Sequence, residues 1–285
     1  MLDFKVKIGL VPDVRDLFDF ETRKGIFEPA KGVENKNKVL KYIKESFADD
    51  ITEFCDSEWL NELGVVYKNS DCDKVCDYLR EQKVDAIFII NCNFGNEEVC
   101  GQIAKKMGLP VLLWGPQDMV FEENGQRYTD AQCGLFAISK QLRRYKVPFS
   151  YIENCPVESD VFKDGFNKFL KVVTMIKNFK NLNVVQVGTR LTPFKSVMYN
   201  ELELTEKFGI NVNNYTLLGG NFKTVDGPVT FGTYMWAEFK DWAKVERKMI
   251  EGPYIHHMSE IYGDYSEVLK EFCKFIPGLT FDPVE

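Results

Sequence analysis

The sequence predicts an α/β fold: a doubly wound parallel (Rossmann-like) sheet in the N-terminal part, plus a smaller α/β to β-rich C-terminal unit. Three observations carry this. Short β-rich runs alternate with amphipathic helical patterns through the first half of the chain, the order that builds parallel sheets. One run, DAIFIIN at 85–91, is almost continuously apolar, as strands buried on both faces are. Beyond residue 213, glycine turns and an aromatic alternating stretch replace the helical periodicity.

In chain order, residues 6–11 read as the first strand and 37–47 as an amphipathic helix. Residues 73–82 are helical, 85–91 a buried strand, 96–107 a helix and 110–114 another buried strand. A helix at 132–145 and a strand at 148–152 follow. A long helix at 157–178 leads to a second unit, with a strand at 183–187 and a helix at 196–208 closed by Gly209 as C-cap. Then come turn clusters at 217–221 and at Asp226-Gly227-Pro228, a strand at 231–239, a helix at 241–250 with Asp241 as N-cap, and a last helix at 265–275. The expected divisions are therefore 1–156, 157–213 and 214–285.

A chain of 285 residues holds two domains or one large one, with a sizeable core. Its 45% apolar and 28% charged residues are ordinary for a globular protein. The net charge of −7 is spread along the sequence without a basic stripe, so nucleic acid is not expected as a partner. Apolar stretches such as 86–90 are too short to span a bilayer. The opening MLDFKVKIGLVPDVRD carries acids and alternates like a strand, unlike a signal peptide. A cytoplasmic protein without membrane attachment is the expectation. The eight cysteines include no CxxC pair, so they are expected as reduced core thiols and not as a zinc site.

Doubly wound sheets bind ligands beyond the carboxyl ends of their strands. That rule sets the loops 12–16, 91–96 and 114–118 on one rim, with Arg15, Asn91, Asn93 and Trp114 as candidate substrate-binding residues. A fourth loop, GTRLTPF, is led by glycine and carries Arg190, so its backbone N–H groups and guanidinium suit an anionic or polyhydroxy ligand. The bland alternative for Arg190 is a salt bridge to a neighbouring carboxylate. Neither P-loop spacing nor GxGxxG after the first strand is present. His256 and His257 are the only histidines, so any imidazole chemistry must happen there. Their bland reading is a strand-end pair, one ring packed and one solvated.

Six runs taken together, KIGLVPDVRD, IINCNFGNEE, VLLWGPQD, TDAQCGLFAISKQLRRYKVPFSYI, VGTRLTPFKSVMYNELELTEKFGI and GTYMWAEF…ERKMIEGPYIHHMSEIYGDY, resemble the L-fucose isomerase and L-arabinose isomerase family. The resemblance implies a homo-oligomeric aldose–ketose isomerase. In it a divalent metal, usually Mn²⁺, clamps two sugar oxygens while carboxylates shuttle a proton through an ene-diol. It implies His257 as a metal ligand beside oxygen ligands, and a site that borrows the rim of an adjacent subunit's first domain. Some members carry an aromatic platform where this chain has Asn93. The larger departure is that the resemblance passes directly from about Ile210 to about Thr216, without the segment that carries the family's metal-binding carboxylates. Glu201, Glu203, Glu238, Glu260 and Asp264 are the substitutes to consider, with a solvated helix face as the alternative for the first two and an N-cap for Asp264. Cut helices and apolar faces near 212–218 would favour oligomers. Two further readings stand beside the isomerase. One is a non-catalytic relative that binds sugar or subunits; the other is a small-ligand α/β domain outside the family.

Overall fold

The structure, a computed structural model, describes residues 3–19, 24–118, 121, 125, 127–180, 182–187, 193–215, 222–224, 227–229, 271 and 274–275. The chain forms two compact units, Met1–Lys177 with Glu271–Ile276, and Asn178–Lys270 with Pro277–Glu285.

The first unit runs β1 (Val6–Asp13), β2 (Leu17–Asp19), β3 (Lys24–Phe27), α1 (Pro29–Phe47), β4 (Thr52–Cys55), α2 (Asp71–Glu81), β5 (Ala86–Asn91), α3 (Glu97–Met107), β6 (Val111–Trp114), α4 (Ala131–Arg144), β7 (Phe149–Tyr151) and α5 (Asp160–Phe179). Its central sheet has the order β4-β1-β5-β6-β7, with every pair parallel. The chain moves outward from β1 to β4, then returns to place β5 on the other side. The β1–β5 boundary is thus the topological switch point, where such sheets open a crevice. The doubly wound α/β fold expected from sequence is present.

Side chains two apart along the strands separate the core into two layers. Val11, Ile87, Ile89, Val111 and Leu113 pack on one face against Val75 and Leu79 of α2, Val99 and Ile103 of α3, and Leu135 and Ile138 of α4. The opposite layer is aromatic. Phe162 of α5 lies 4.6 Å from the Trp114 ring, 5.6 Å from Phe166 in a stacked pair, and 6.3 Å from Phe88. Tyr42 and Phe47 of α1 close the cluster edge-on at 6.4 and 6.3 Å from Phe162.

Several elements differ from their sequence reading. Helix α1 begins at Pro29, eight residues before the periodicity at 37 becomes visible. Pro29 opens the first turn, where a missing N–H costs nothing. The polar Lys36 is buried there because its Nζ donates to Glu58 Oε1 at 2.7 Å and to the Leu63 carbonyl at 3.0 Å. Strand β4 and the β2–β3 hairpin were not legible as strands. β4 is a four-residue edge strand that buries only Thr52 and Cys55.

The second unit contains β8 (Asn183–Val187), a 3₁₀ turn (Lys195–Val197), α6 (Glu201–Phe208), β9 (Asn211–Tyr215), β10 (Phe222–Thr224) and β11 (Gly227–Val229). β8 and β9 pair in parallel across α6, and β10–β11 is an antiparallel hairpin. The helix expected at 196–208 is broken. Asn200 adopts φ −98° and ψ 102°, and its side chain caps α6 by accepting from the Glu203 N–H at 3.1 Å. Gly209 then takes φ +70°, a left-handed C-cap that glycine reaches without strain. Gly227 and Pro228, read as turn residues, belong to β11. The elements expected at 231–239 and 241–250 lie outside the described residues, as does most of 265–275.

Candidate functional site

The switch-point crevice is built by the last residues of β1 and β5 and the loops that follow them. Asp13 and Asn91 are register partners on the two strands, and neighbours in parallel register share a face. Both are fully buried. Asn93, also buried, ties the two loops together. Its Oδ1 accepts from the N–H groups of Arg15 at 2.8 Å, Phe94 at 2.5 Å and Gly95 at 3.2 Å, and its Nδ2 donates to the Arg15 carbonyl at 3.0 Å. The Arg15 side chain returns across the crevice, with Nε donating to the Gly95 carbonyl at 2.7 Å and Nη2 paired with Glu97. Its guanidinium carbon lies 5.2 Å from the centre of the Phe94 ring, a cation–π distance.

The crevice continues into the helices behind it. Asn91 Nδ2 donates to the Phe94 carbonyl at 3.1 Å and the Ala131 carbonyl at 3.2 Å, fixing the start of α4 against the β5–α3 loop. Asn96 caps α3, accepting from the Glu98 and Val99 N–H groups at 3.2 and 3.4 Å. The Asn96 N–H donates to both oxygens of Asp13 at 2.9 Å. Burial pushes the Asp13 carboxyl up to about 7, opposed by the Asn96 N–H bond, by Cys100 and by the Arg15 charge. In the loop after β6, Asp118 accepts from the Ala131 and Gln132 N–H groups at 2.6 and 3.2 Å, so this rim carboxylate caps α4.

Arg15, Asn91 and Asn93 of the sequence-derived candidates are thus brought together. Trp114 is placed elsewhere: fully buried on the opposite face of the sheet, among Phe88 and Phe162, with its Nε1–H unpartnered among the described residues. On that face a cleft of about 440 Å³ opens at the carboxyl edge, between Asn35 and Lys38 of α1, Gln117 and Asp118 after β6, and Val157. Arg190, His256, His257, Glu238, Glu260 and Asp264 lie outside the described residues. Glu201 and Glu203 stand in the first turn of α6, and Glu203 pairs with Lys207.

Among the described residues no group of three His, Cys, Asp or Glu side chains is placed to hold a metal ion. Cys55, Cys72, Cys76, Cys92, Cys100 and Cys155 are buried, and Cys133 is exposed. Burial raises the Cys76 thiol to about 12 and moves Cys92 and Cys100 upward too, so these three are poor nucleophiles and poor thiolate ligands. No described helix is long and apolar enough to cross a membrane.

Sequence reasoning did not single out Asp13, Asn96 or Gly134. An isolated glycine inside a helical pattern was the available signal for Gly134, since it weakens the helix and so points to a packing reason. A β-carbon there would fall 1.8 Å from the Phe94 carbonyl oxygen and 2.3 Å from Asn91 Nδ2. For Asn93, replacement by alanine should cost about 3 kcal/mol, because three N–H groups lose their acceptor and the Arg15 carbonyl loses its donor. Urea denaturation checks this; a loss below about 1 kcal/mol would mean that solvent replaces Asn93.

Residues 20–180, more than half of the chain, match the family model described as fucose/sulfoquinovose isomerase, N-terminal domain. A comparison with curated proteins finds no match. The match covers β3 through α5 and therefore most of the sheet and its carboxyl-edge loops, and the chain belongs to the fucose/sulfoquinovose isomerase family.

Proposed function

We propose that this chain is a metal-dependent aldose–ketose isomerase acting on a deoxy- or pentose sugar such as L-fucose or L-arabinose. The carboxyl edge of the first sheet is its sugar-facing rim. The observation that carries the proposal is the switch-point crevice, where Arg15 and Asn93 stand over the ends of β1 and β5. A sugar ring needs fixed polar groups on rigid supports; here the buried, fully bonded Asn93 is the support, and the partly exposed Arg15 is the group it presents at the rim. Asn35, Lys38 and Gln117 line the neighbouring cleft with groups that suit hydroxyls. The GTRLTPF loop adds Arg190 to the substrate-binding set.

The divalent ion of this reading, Mn²⁺ by preference, falls to the C-terminal segment with His257 as one ligand. The described residues offer no donor set for it, so no chemical step is assigned through it. A homo-oligomer belongs to the same reading. Phe194, Val197, Met198 and Leu202 of the second unit are exposed apolar side chains that such an assembly would bury.

The test is calorimetric titration of the whole chain with Mn²⁺, with and without L-fucose and L-arabinose, followed by a ketose assay on the same sample. Metal binding abolished by His257→Ala, together with ketose formation, is the expected result. Sugar binding that is insensitive to chelator and yields no product would favour the second reading, a sugar-binding or subunit-interaction relative. The departure of the chain from the family at its expected carboxylate segment is what keeps that reading in play.

A further inference from the structure

Beneath the crevice two buried acceptors, the Asp13 carboxyl and the Asn91 amide oxygen, border the same glycine. Asn91 Oδ1 is fully buried and has no hydrogen-bond partner among the described residues. Its orientation is fixed, because the amide's Nδ2 is committed to the Phe94 and Ala131 carbonyls and a flipped amide would oppose oxygen to oxygen. Asp13, its register partner, has the Asn96 N–H shared between its two oxygens. Both residues border Gly95. A β-carbon on that glycine would lie 2.0 Å from Asp13 Oδ2 and 3.2 Å from Asn91 Oδ1. An unpaired buried acceptor costs about 1–3 kcal/mol, and a buried ionised carboxylate without a cation in contact costs more.

We infer that Asp13 is carried as a neutral carboxylic acid whose O–H serves Asn91 Oδ1, forming a one-proton tie between the ends of β1 and β5. One oxygen of the acid then keeps the Asn96 N–H and the other holds the proton. Each polar atom of the pair is satisfied, and the two loops carrying Arg15 and Asn93 are locked to each other from below. Loss of that proton sets a carboxylate against a carbonyl oxygen and strains the rim.

The charged and titratable groups around Asp13 fit this assignment. From the β1 loop, Arg15 lies near enough to favour the ionised form, but its guanidinium is already shared with Glu97 and the Gly95 carbonyl. From α3, Glu97 disfavours ionisation and the Cys100 thiol donates to the carboxyl. From the β5 loop, the Cys92 thiol is held neutral by burial. The N-terminus of α3 favours the anion, yet burial is the largest influence and raises the carboxyl from 3.8 to about 7.

The sign of the pH dependence follows. Between 3.8 and about 7 the folded chain keeps a proton that the unfolded chain has released, so this group's contribution to stability is full below that window and falls as pH rises through it. Each unit lowers the folding equilibrium constant by up to tenfold. Asp13→Asn replaces the acid by an amide that can donate to Asn91 Oδ1 and accept from the Asn96 N–H at every pH. It should be more stable than the native chain at pH 8, by up to about a thousandfold in folding equilibrium, and nearly equal to it at pH 4.

The deciding measurement is the side-chain carboxyl carbon of Asp13, followed by through-bond NMR in the native chain from pH 4 to 9; it requires no variant. A titration near neutrality is expected, with the neutral-acid chemical shift at pH 5. Titration in the ordinary aspartate range would overturn the inference and assign the space between the two oxygens to a bridging water. Should Asp13→Asn fold and prove less stable than the native chain at pH 8, the proton tie would be overturned as well.

Discussion

Replacing Phe162 by alanine should remove about 4 kcal/mol of stability, the middle of the range for truncating a buried phenylalanine. The ring is fully buried. It touches β5 and β6 through Phe88 and Trp114, α1 through Tyr42 and Phe47, and the next turn of its own helix through Phe166. A cavity at such a junction cannot close by moving one neighbour, because five rings would have to shift together. Phe162→Leu keeps most of the volume and should cost nearer 1 kcal/mol. Equilibrium denaturation in urea, followed by near-ultraviolet dichroism, separates the two variants. If Phe162→Ala lost no more than Phe162→Leu, α5 would not be anchored on this sheet as described.

How much of this was legible in the sequence depends on whether a residue's role is set by its neighbours in the chain or by those in space. The DAIFIIN run is buried on both faces, so nearly every position is apolar and the strand announces itself. Placing strands in a parallel sheet then places their following loops on one edge, which is why Arg15, Asn91 and Asn93 could be named together. The first turns of α1 were not legible because Gly32 and Lys36 occupy positions of its buried stripe. Gly32 is there for a tertiary reason: a β-carbon would sit 2.5 Å from Val14 Cγ1 where the helix passes the β1 loop. Lys36 is buried only because Glu58 and the Leu63 carbonyl, distant in sequence, receive its ammonium.

The same distinction explains the site. Trp114 ends a strand and precedes a polar loop, so its position on the rim could be read. The face it occupies could not, since that depends on register: Leu113 points to α2–α4 and Trp114 to α5. Asp13 reads locally as one more acid in a charged loop. Its burial comes from the β5–α3 loop, more than 70 residues on, folding over it and offering the Asn96 N–H. The helix expected at 196–208 failed for a local reason, the capping strength of Asn200, which was present in the sequence and outweighed there by periodicity.

Gly134→Ala sets two of these influences against each other and so carries the second large expectation. By helix propensity alone the change should stabilise α4 by about 1 kcal/mol. The added methyl, however, would fall 1.8 Å from the Phe94 carbonyl oxygen and 2.3 Å from Asn91 Nδ2, and the first of these is backbone. Relief requires α4 to retreat from the β5–α3 loop. That movement breaks the Asn91 bond to the Ala131 carbonyl and disturbs core packing behind Leu135 and Ile138. Overpacking of about 1–3 kcal/mol, added to one buried hydrogen bond at about 1 kcal/mol, exceeds the propensity gain, so a net loss of about 2 kcal/mol is expected. Gly108→Ala is the matching control. It also sits at a helix terminus, with φ +62°, but has no atom within 4 Å of the added carbon, so only its backbone strain, about 1 kcal/mol, should register. If Gly134→Ala instead matched or exceeded the native stability in urea, the close contact between α4 and the Phe94 turn would not exist, and the crevice would lack the rear wall that holds Asn91 in place.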